Sequence, residues 1–375
     1  MVISENESMR TLLSALSTFA LTLAIGIVCL AAEKPPLYPD HQDLLYYLDA
    51  KGSKHPISKP ADWEKRREHI LANMQRAMGP VPDVNSKVPL QPVTLESASV
   101  DGISRQKIKY QTEAGDVVHA FLFVPHIRPG EKRAAILCLH QTIEIGKEEP
   151  AGLGGSPNLH YALHLAKRGY VTLAPDYPSF GQHKYDFKSA ASQARYQSGS
   201  MKAIWDNQRA LDFLQTIPQV DKDRIGCIGH SLGGHNTLFT AAFDPRIKVL
   251  VSSCGFTRFP RYYGGKLKGW TSDRYMPKID REYGNDPNRV PFDFTEIIAS
   301  LAPRPFLASS PVGDGNFDVT GVRETIAAAK PVYALYGKAD NLQANYPNCG
   351  HDFPEDARKV AYEFFDRHLQ HTPIK

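Results

Sequence analysis

From about residue 134 onward the chain alternates short, unbroken apolar runs with helical stretches, and no other feature restricts its fold as much. The runs read AAILCLH, YVTLAPD, RIGCIGH, IKVLVSSCG, PFLASSP and LQANYP. Amphipathic stretches at 159–168, 201–216, 232–243 and 322–330 separate them, and a last one at 354–369 closes the chain. A strand that is apolar on both faces belongs in a parallel sheet covered by helices on both sides. Ahead of these runs, 93–124 switches to alternation and β-branched residues, including IKYQT and VVHAFLFV, the pattern of antiparallel strands. The expected class is α/β, with a mostly parallel eight-stranded sheet and helices on both faces.

The remaining stretches set the domain organisation. The one long apolar run, 11–32, follows Arg10 and ends on Ala31 and Ala32, the layout of a secretory signal peptide. Met9 is a candidate start, because Glu5 and Glu7 sit oddly in a positive leader; Val28 before Cys29 argues against a lipoprotein. The other reading is a permanent single-span anchor, since the run approaches the ~20 residues a membrane helix needs. A cleaved leader makes the protein secreted or periplasmic, with no stable membrane association afterwards. Residues 33–92 read as a proline-rich linker and a helix, with Trp63, Ile70, Leu71, Met74 and Met78 on one face and Gly79-Pro80 at its end. Residues 93–375 form the main domain. Within it, 256–300 fits neither strand nor helix and holds Arg258, Arg261, Tyr262, Tyr263, Trp270, Arg274 and Tyr275. Insertions that long are usually functional, and this one is expected to cap the sheet's carboxyl edge.

Composition removes other classes. With 42% apolar and 22% charged residues, disorder, collagen and coiled coil are out. The net charge of +4 is scattered, so nucleic acid is not a partner. Beyond the leader stand Cys138, Cys227, Cys254 and Cys349, the first three inside apolar runs, where free buried thiols are expected. No CxxC pair or zinc spacing occurs, so no metal site is expected.

The run RIGCIGH leads directly into Gly229-His230-Ser231-Leu232-Gly233-Gly234 and then a helix. A strand-to-helix turn this sharp strains its central residue, and glycines two before and two after remove side-chain clashes. Ser231 at a helix N-terminus is thus a candidate nucleophile, facing backbone N–H groups that favour developing negative charge. A serine hydroxyl needs a base within reach, and His351, in the loop between the last strand and the terminal helix, is the candidate. His230 and His235 flank the turn and are expected to line the pocket or pack. His160 and His164 lack the glutamate of HExxH and read as packing or surface residues. A carboxylate must orient the base. On the loop after PFLASSP, Asp314 comes soonest and lies between two glycines; Asp318 and Asp340 are the alternatives. The oxyanion donors are expected to be the N–H groups of Leu232 and of Gln141, the latter after AAILCLH.

Together, LHQT at Leu139, RGYVTLAPDYPSFG at Arg168, VDKDRIGCIGHSLGG at Val220, LAPRPFLASSP at Leu301 and CGHDFP at Cys349 carry a family resemblance. From about 101 to 369 the chain resembles the α/β-hydrolase superfamily, whose Ser–Asp–His order it shares. Within that superfamily it is similar to the dienelactone hydrolase and acetyl xylan esterase-like branch, related to the catalytic domain of prolyl oligopeptidases. Most relatives carry His-Gly where this chain has His140-Gln141-Thr142, which a main-chain donor tolerates. Dienelactone hydrolases proper use a cysteine nucleophile, and glucuronoyl esterases carry an arginine where Leu232 stands. The resemblance implies a serine carboxylester hydrolase that forms an acyl-enzyme, deacetylates a carbohydrate or other small ester, and needs no cofactor. The aromatic and arginine residues of 256–275 would suit a sugar, or simply a solvated cap. The alternative is a serine peptidase of the prolyl oligopeptidase type. Such enzymes usually carry a β-propeller, for which the ~60 residues after the leader fall short of four blades at ~40 residues each. A non-enzymatic binding module is the third reading, weakened by the retained triad.

Overall fold

Successive residues of the apolar runs point to opposite faces of one sheet, and both faces are buried. The computed structural model describes residues 35–374, so the expected leader at 11–32 lies outside the described residues. Along the chain come β1 (Tyr46–Leu48), β2 (Lys54–Pro56) and helix α1 (Pro60–Met78), then β3 (Val93–Val100), β4 (Ile103–Glu113), β5 (Asp116–Val124) and β6 (Arg133–Leu139). Helix α2 (Tyr161–Lys167), β7 (Val171–Pro175), α3 (Ala190–Arg195), α4 (Gly199–Leu214), β8 (Val220–His230), α5 (Leu232–Phe243) and β9 (Ile247–Ser253) follow. The last elements are α6 (Lys278–Arg281), α7 (Phe294–Ser300), β10 (Phe306–Ser309), α8 (Val319–Leu335), β11 (Leu342–Asn345) and α9 (Glu355–His368). Apart from the β1–β2 hairpin, the strands form one sheet in the order β11-β10-β9-β8-β6-β7-β5-β4-β3. It is parallel from β11 to β7 and antiparallel from β7 to β3.

In β6, Ala135, Leu137 and Leu139 face one core with Trp205, Leu211 and Leu238 of α4 and α5, while Ala134, Ile136 and Cys138 face a second with Leu165 of α2 and Phe365 of α9. Each such leucine, isoleucine or phenylalanine contributes roughly 1.5–3 kcal/mol on burial, and each alanine methyl about 0.8 kcal/mol, which is why the runs are continuous rather than alternating.

The sheet has nine strands, not the eight expected. The chain reverses twice within 93–124, at Asp101-Gly102 and again at Gly115, where φ is positive at all three residues. The first strand so produced, β3, is exposed over nearly its whole length and so carries no burial pattern. The supposed linker also packs. Tyr38, Leu44, Tyr46 and Ile57 are buried, and Arg66 of α1, fully buried, stacks 3.0 Å from the Tyr38 ring centroid and pairs with Glu296 of α7 at 2.7 Å.

Segment 256–300 is a series of short helical turns. Its end, α7, is wholly buried behind a capping box of Asp293 and Glu296 and packs on α5 and α8 as part of the scaffold. Cys138, Cys227 and Cys254 are buried and Cys349 half-buried, all four as free thiols. None of the helices among the described residues is long and apolar enough to cross a membrane.

Candidate active site

One residue separates β8 from α5. Ser231 takes up the whole change of direction at φ 54° and ψ −115°, a conformation costing on the order of 1–3 kcal/mol for a residue with a side chain. Its N–H donates to Ser253 O at 2.9 Å, and its carbonyl accepts the first helical bond, from His235 N–H, at 3.1 Å. The two flanking glycines are obligatory. A β-carbon on Gly229 would stand 2.2 Å from the Gly233 carbonyl, and one on Gly233 would stand 1.9 Å from Leu139 O. The turn is therefore pressed against the end of β6, which carries the Gln141 loop.

Two further loops meet beside it. The loop after β10 is zipped to the loop after β11 by Val312 N–H to Pro347 O and Gly313 N–H to Cys349 O, each at 3.0 Å. This brings the Asp314 carboxylate, 1% exposed, to 3.0 and 2.9 Å from His351 Nδ1. Its Oδ1 also accepts the N–H groups of Asn316 at 2.8 Å and Phe317 at 3.1 Å. Burial alone would raise the pKa of Asp314. The His351 hydrogen bond and charge and the two amides outweigh burial and hold it below the usual carboxylate range. An ionised acceptor at Nδ1 keeps the proton there and leaves Nε2 as the basic nitrogen. Of the other two carboxylates weighed, Asp318 caps α8 through Thr320 N–H at 2.7 Å, and Asp340 lies in the short turn before β11; neither bonds His351. His230 packs edge-on against His351 with ring centroids 4.8 Å apart. Burial first, then the His351 charge, lowers the His230 pKa to about 3, so it stays neutral and does not compete as a base.

Ser231, Leu232, Gln141 and His351 all border one cavity of about 260 Å³, with Asp314 behind His351. No hydrogen bond joins Ser231 to His351 here, a looseness common before substrate binds. Neither the N–H of Leu232 nor that of Gln141 donates to a protein acceptor among the described residues. Opposite stand Tyr262, Trp270, Tyr275 and Phe317, and no lysine, arginine, aspartate or glutamate among the described residues borders the cavity. The aromatic part of the expected cap thus reaches the site and its arginines do not. Arg258 and Arg261 bind Glu324, and Arg274 lies over Phe180 at 4.1 Å and donates to Ser179 Oγ. His160 and His164 serve packing, on Gly154 O and the Tyr362 hydroxyl.

Sequence reasoning missed Asn316 and Phe317, whose amides hold the Asp314 carboxylate, and His140, whose Nδ1 bonds Gln141 O at 2.6 Å while Nε2 accepts Tyr177 N–H at 2.9 Å. The Gly-Asp-Gly-Asn spacing was the available signal for the amides, and for His140 it was the His-Gly pair that most relatives carry there. Among the described residues, two clusters offer grouped metal-ligand atoms. One, His230–Cys254–His351, overlaps this site. The other, Asp116–His183–Asp206, already encloses the buried Lys202 ammonium, 2.6 Å from Asp116 and 2.5 Å from Asp206.

Residues 158–372 match the prolyl oligopeptidase family. YtaP of Bacillus subtilis (strain 168), a hydrolase by name, is 30% identical over 56% of this chain and 68% of its own length. Carbohydrate esterase MZ0003, from an unknown prokaryotic organism, is 25% identical over 43% of this chain and only 39% of its own. Among solved structures, a glucuronoyl esterase from Solibacter usitatus superposes with a TM-score of 0.68 over 89% of this chain and 99% of that one, at 17% identity; it shares the α/β-hydrolase fold.

Proposed function

We propose that this chain, which belongs to the prolyl oligopeptidase family, is a serine carboxylester hydrolase whose substrate is an acylated carbohydrate or similar small ester. One observation carries the reading: His351 stands between the buried, ionised Asp314 and a cavity that it shares with a serine held at a strained strand-to-helix turn. Ser231 Oγ attacks the ester carbonyl while His351 Nε2 takes its proton, and the carbonyl oxygen becomes an oxyanion held by the N–H groups of Leu232 and Gln141. Collapse breaks the C–O bond; His351 returns the proton to the departing alcohol and an acyl-serine remains. Water, deprotonated by His351, attacks the acyl-serine to form a second oxyanion, and its collapse breaks the acyl–Oγ bond, His351 returning the proton to Ser231 Oγ as the acid leaves. Asp314 holds the imidazole in the required tautomer and offsets its transient positive charge.

The substrate class rests on the cavity. An aromatic wall of Trp270, Tyr262 and Tyr275 without charged neighbours suits the apolar face of a neutral sugar better than an anion. A relative whose name is carbohydrate esterase agrees with this. The leader pattern at 11–32 would put the enzyme where extracellular polysaccharide is met. A second reading, peptide-bond cleavage, draws on the family's name. The purified protein is expected to release p-nitrophenol from p-nitrophenyl acetate and acetate from acetylated xylo-oligosaccharides, each with higher kcat/KM than amide release from short prolyl peptides. Faster amide release would reverse the assignment.

A further inference from the structure

Gln141 is held more firmly than a residue contributing only its main chain requires. Besides the His140 bond to its carbonyl, its side-chain amide donates to both oxygens of Glu149, at 3.1 and 3.0 Å. Glu149 is 1% exposed, and its Oε1 also accepts Ser156 N–H at 3.0 Å. Gly155 makes the room, since a β-carbon there would stand 2.3 Å from that oxygen. No lysine or arginine among the described residues pairs with this carboxylate, and burial raises its pKa despite the Ser156 and Gln141 donors and the more distant His160 charge. A buried carboxylate without a cation is costly to the fold. What it secures is the geometry of Gln141.

Building on the serine-esterase reading, we propose that Glu149 is a positioning residue of the oxyanion hole, fixing the Gln141 side chain and through it the direction of the Gln141 N–H. The side chain is clamped at its far end by Glu149 and the carbonyl by His140, so the backbone torsions of Gln141 have little freedom. The N–H has no protein acceptor among the described residues, and Gln141 borders the cavity that holds Ser231. Neither partner of the clamp touches the reacting atoms. Removing an oxyanion donor outright costs ~10²–10³ in kcat, and loosening one costs a share of that.

The test is a double-mutant cycle on p-nitrophenyl acetate with Glu149→Gln, Gln141→Leu and the pair, active sites being titrated with a fluorophosphonate. Each single variant is expected to lose about tenfold or more in kcat with KM within about twofold, and the pair no more than the worse single. Affinity for phenylboronic acid, which forms a tetrahedral adduct on Ser231, falls in parallel, and Glu149→Asp recovers part of the loss. Losses that multiply in the pair, or an effect confined to KM, would overturn the proposal. So would wild-type kcat in Gln141→Leu, which can be read even if Glu149→Gln does not fold. Failure of the esterase reading looks different, because the wild-type protein would then neither turn over the ester nor titrate.

Discussion

Ser231→Ala is expected to lower kcat for p-nitrophenyl acetate by at least ~10⁴ while the protein stays folded, the magnitude that follows when a nucleophile acting as one unit with its base is removed. The change deletes one oxygen at a position whose backbone is fixed by Ser253, His235 and the glycine contacts, so the cavity and both proposed oxyanion donors should persist. Whatever activity remains comes from water attacking an ester polarised by the Leu232 and Gln141 amides. Fluorophosphonate labelling disappears in the same variant, and thermal unfolding shifts little. A Ser231→Ala protein that still turned over ester at a tenth of the parent rate would exclude an acyl-serine.

On the triad reading, Asp314→Asn is expected to cost roughly 10⁴ in kcat by a different route. The asparagine can offer its NH₂ to Nδ1, which favours the tautomer protonated at Nε2 and blocks the nitrogen that must accept the serine proton. The same variant reports on stability. The folded-state pKa of Asp314 lies below the ordinary carboxylate value, so the ionised group stabilises the fold at neutral pH. That contribution is lost as pH falls through the ordinary carboxylate value and then the folded one. The Tm difference between parent and Asp314→Asn is therefore widest near pH 7 and closes below about pH 4. Asp318→Asn serves as the contrast, because that carboxylate caps α8 and asparagine also caps well. A 10⁴ loss in Asp318→Asn or Asp340→Asn, with Asp314→Asn active, would move the acid elsewhere.

Most of the sheet and the serine turn were legible because their causes are local. Burial on both faces writes itself as a continuous apolar run, and the turn at Ser231 admits only glycine at 229 and 233. Asp314 could be put first among three carboxylates because it follows its strand soonest; that it alone meets His351 depends on the zipped loops, which no spacing displays. β3 was not resolved as a separate strand since exposed residues carry no periodicity. The packing of Tyr38 on Arg66 and the burial of α7 rest on partners distant in the chain. Glu149 was invisible for a related reason: its surroundings come from a long irregular loop, where nothing in composition separates a buried carboxylate from a solvated one.

The two margins of the sheet are unequal. On one side β3 pairs only with β4 and leaves Val93 45% and Leu95 42% exposed, whereas Ser231, His351 and Asp314 all follow strands of the other half. Fraying of that outer strand would leave turnover untouched while baring a row of unpaired amides that another molecule can adopt. Association through that margin on long storage is therefore expected to remove protein from solution without lowering the specific activity of what stays dissolved.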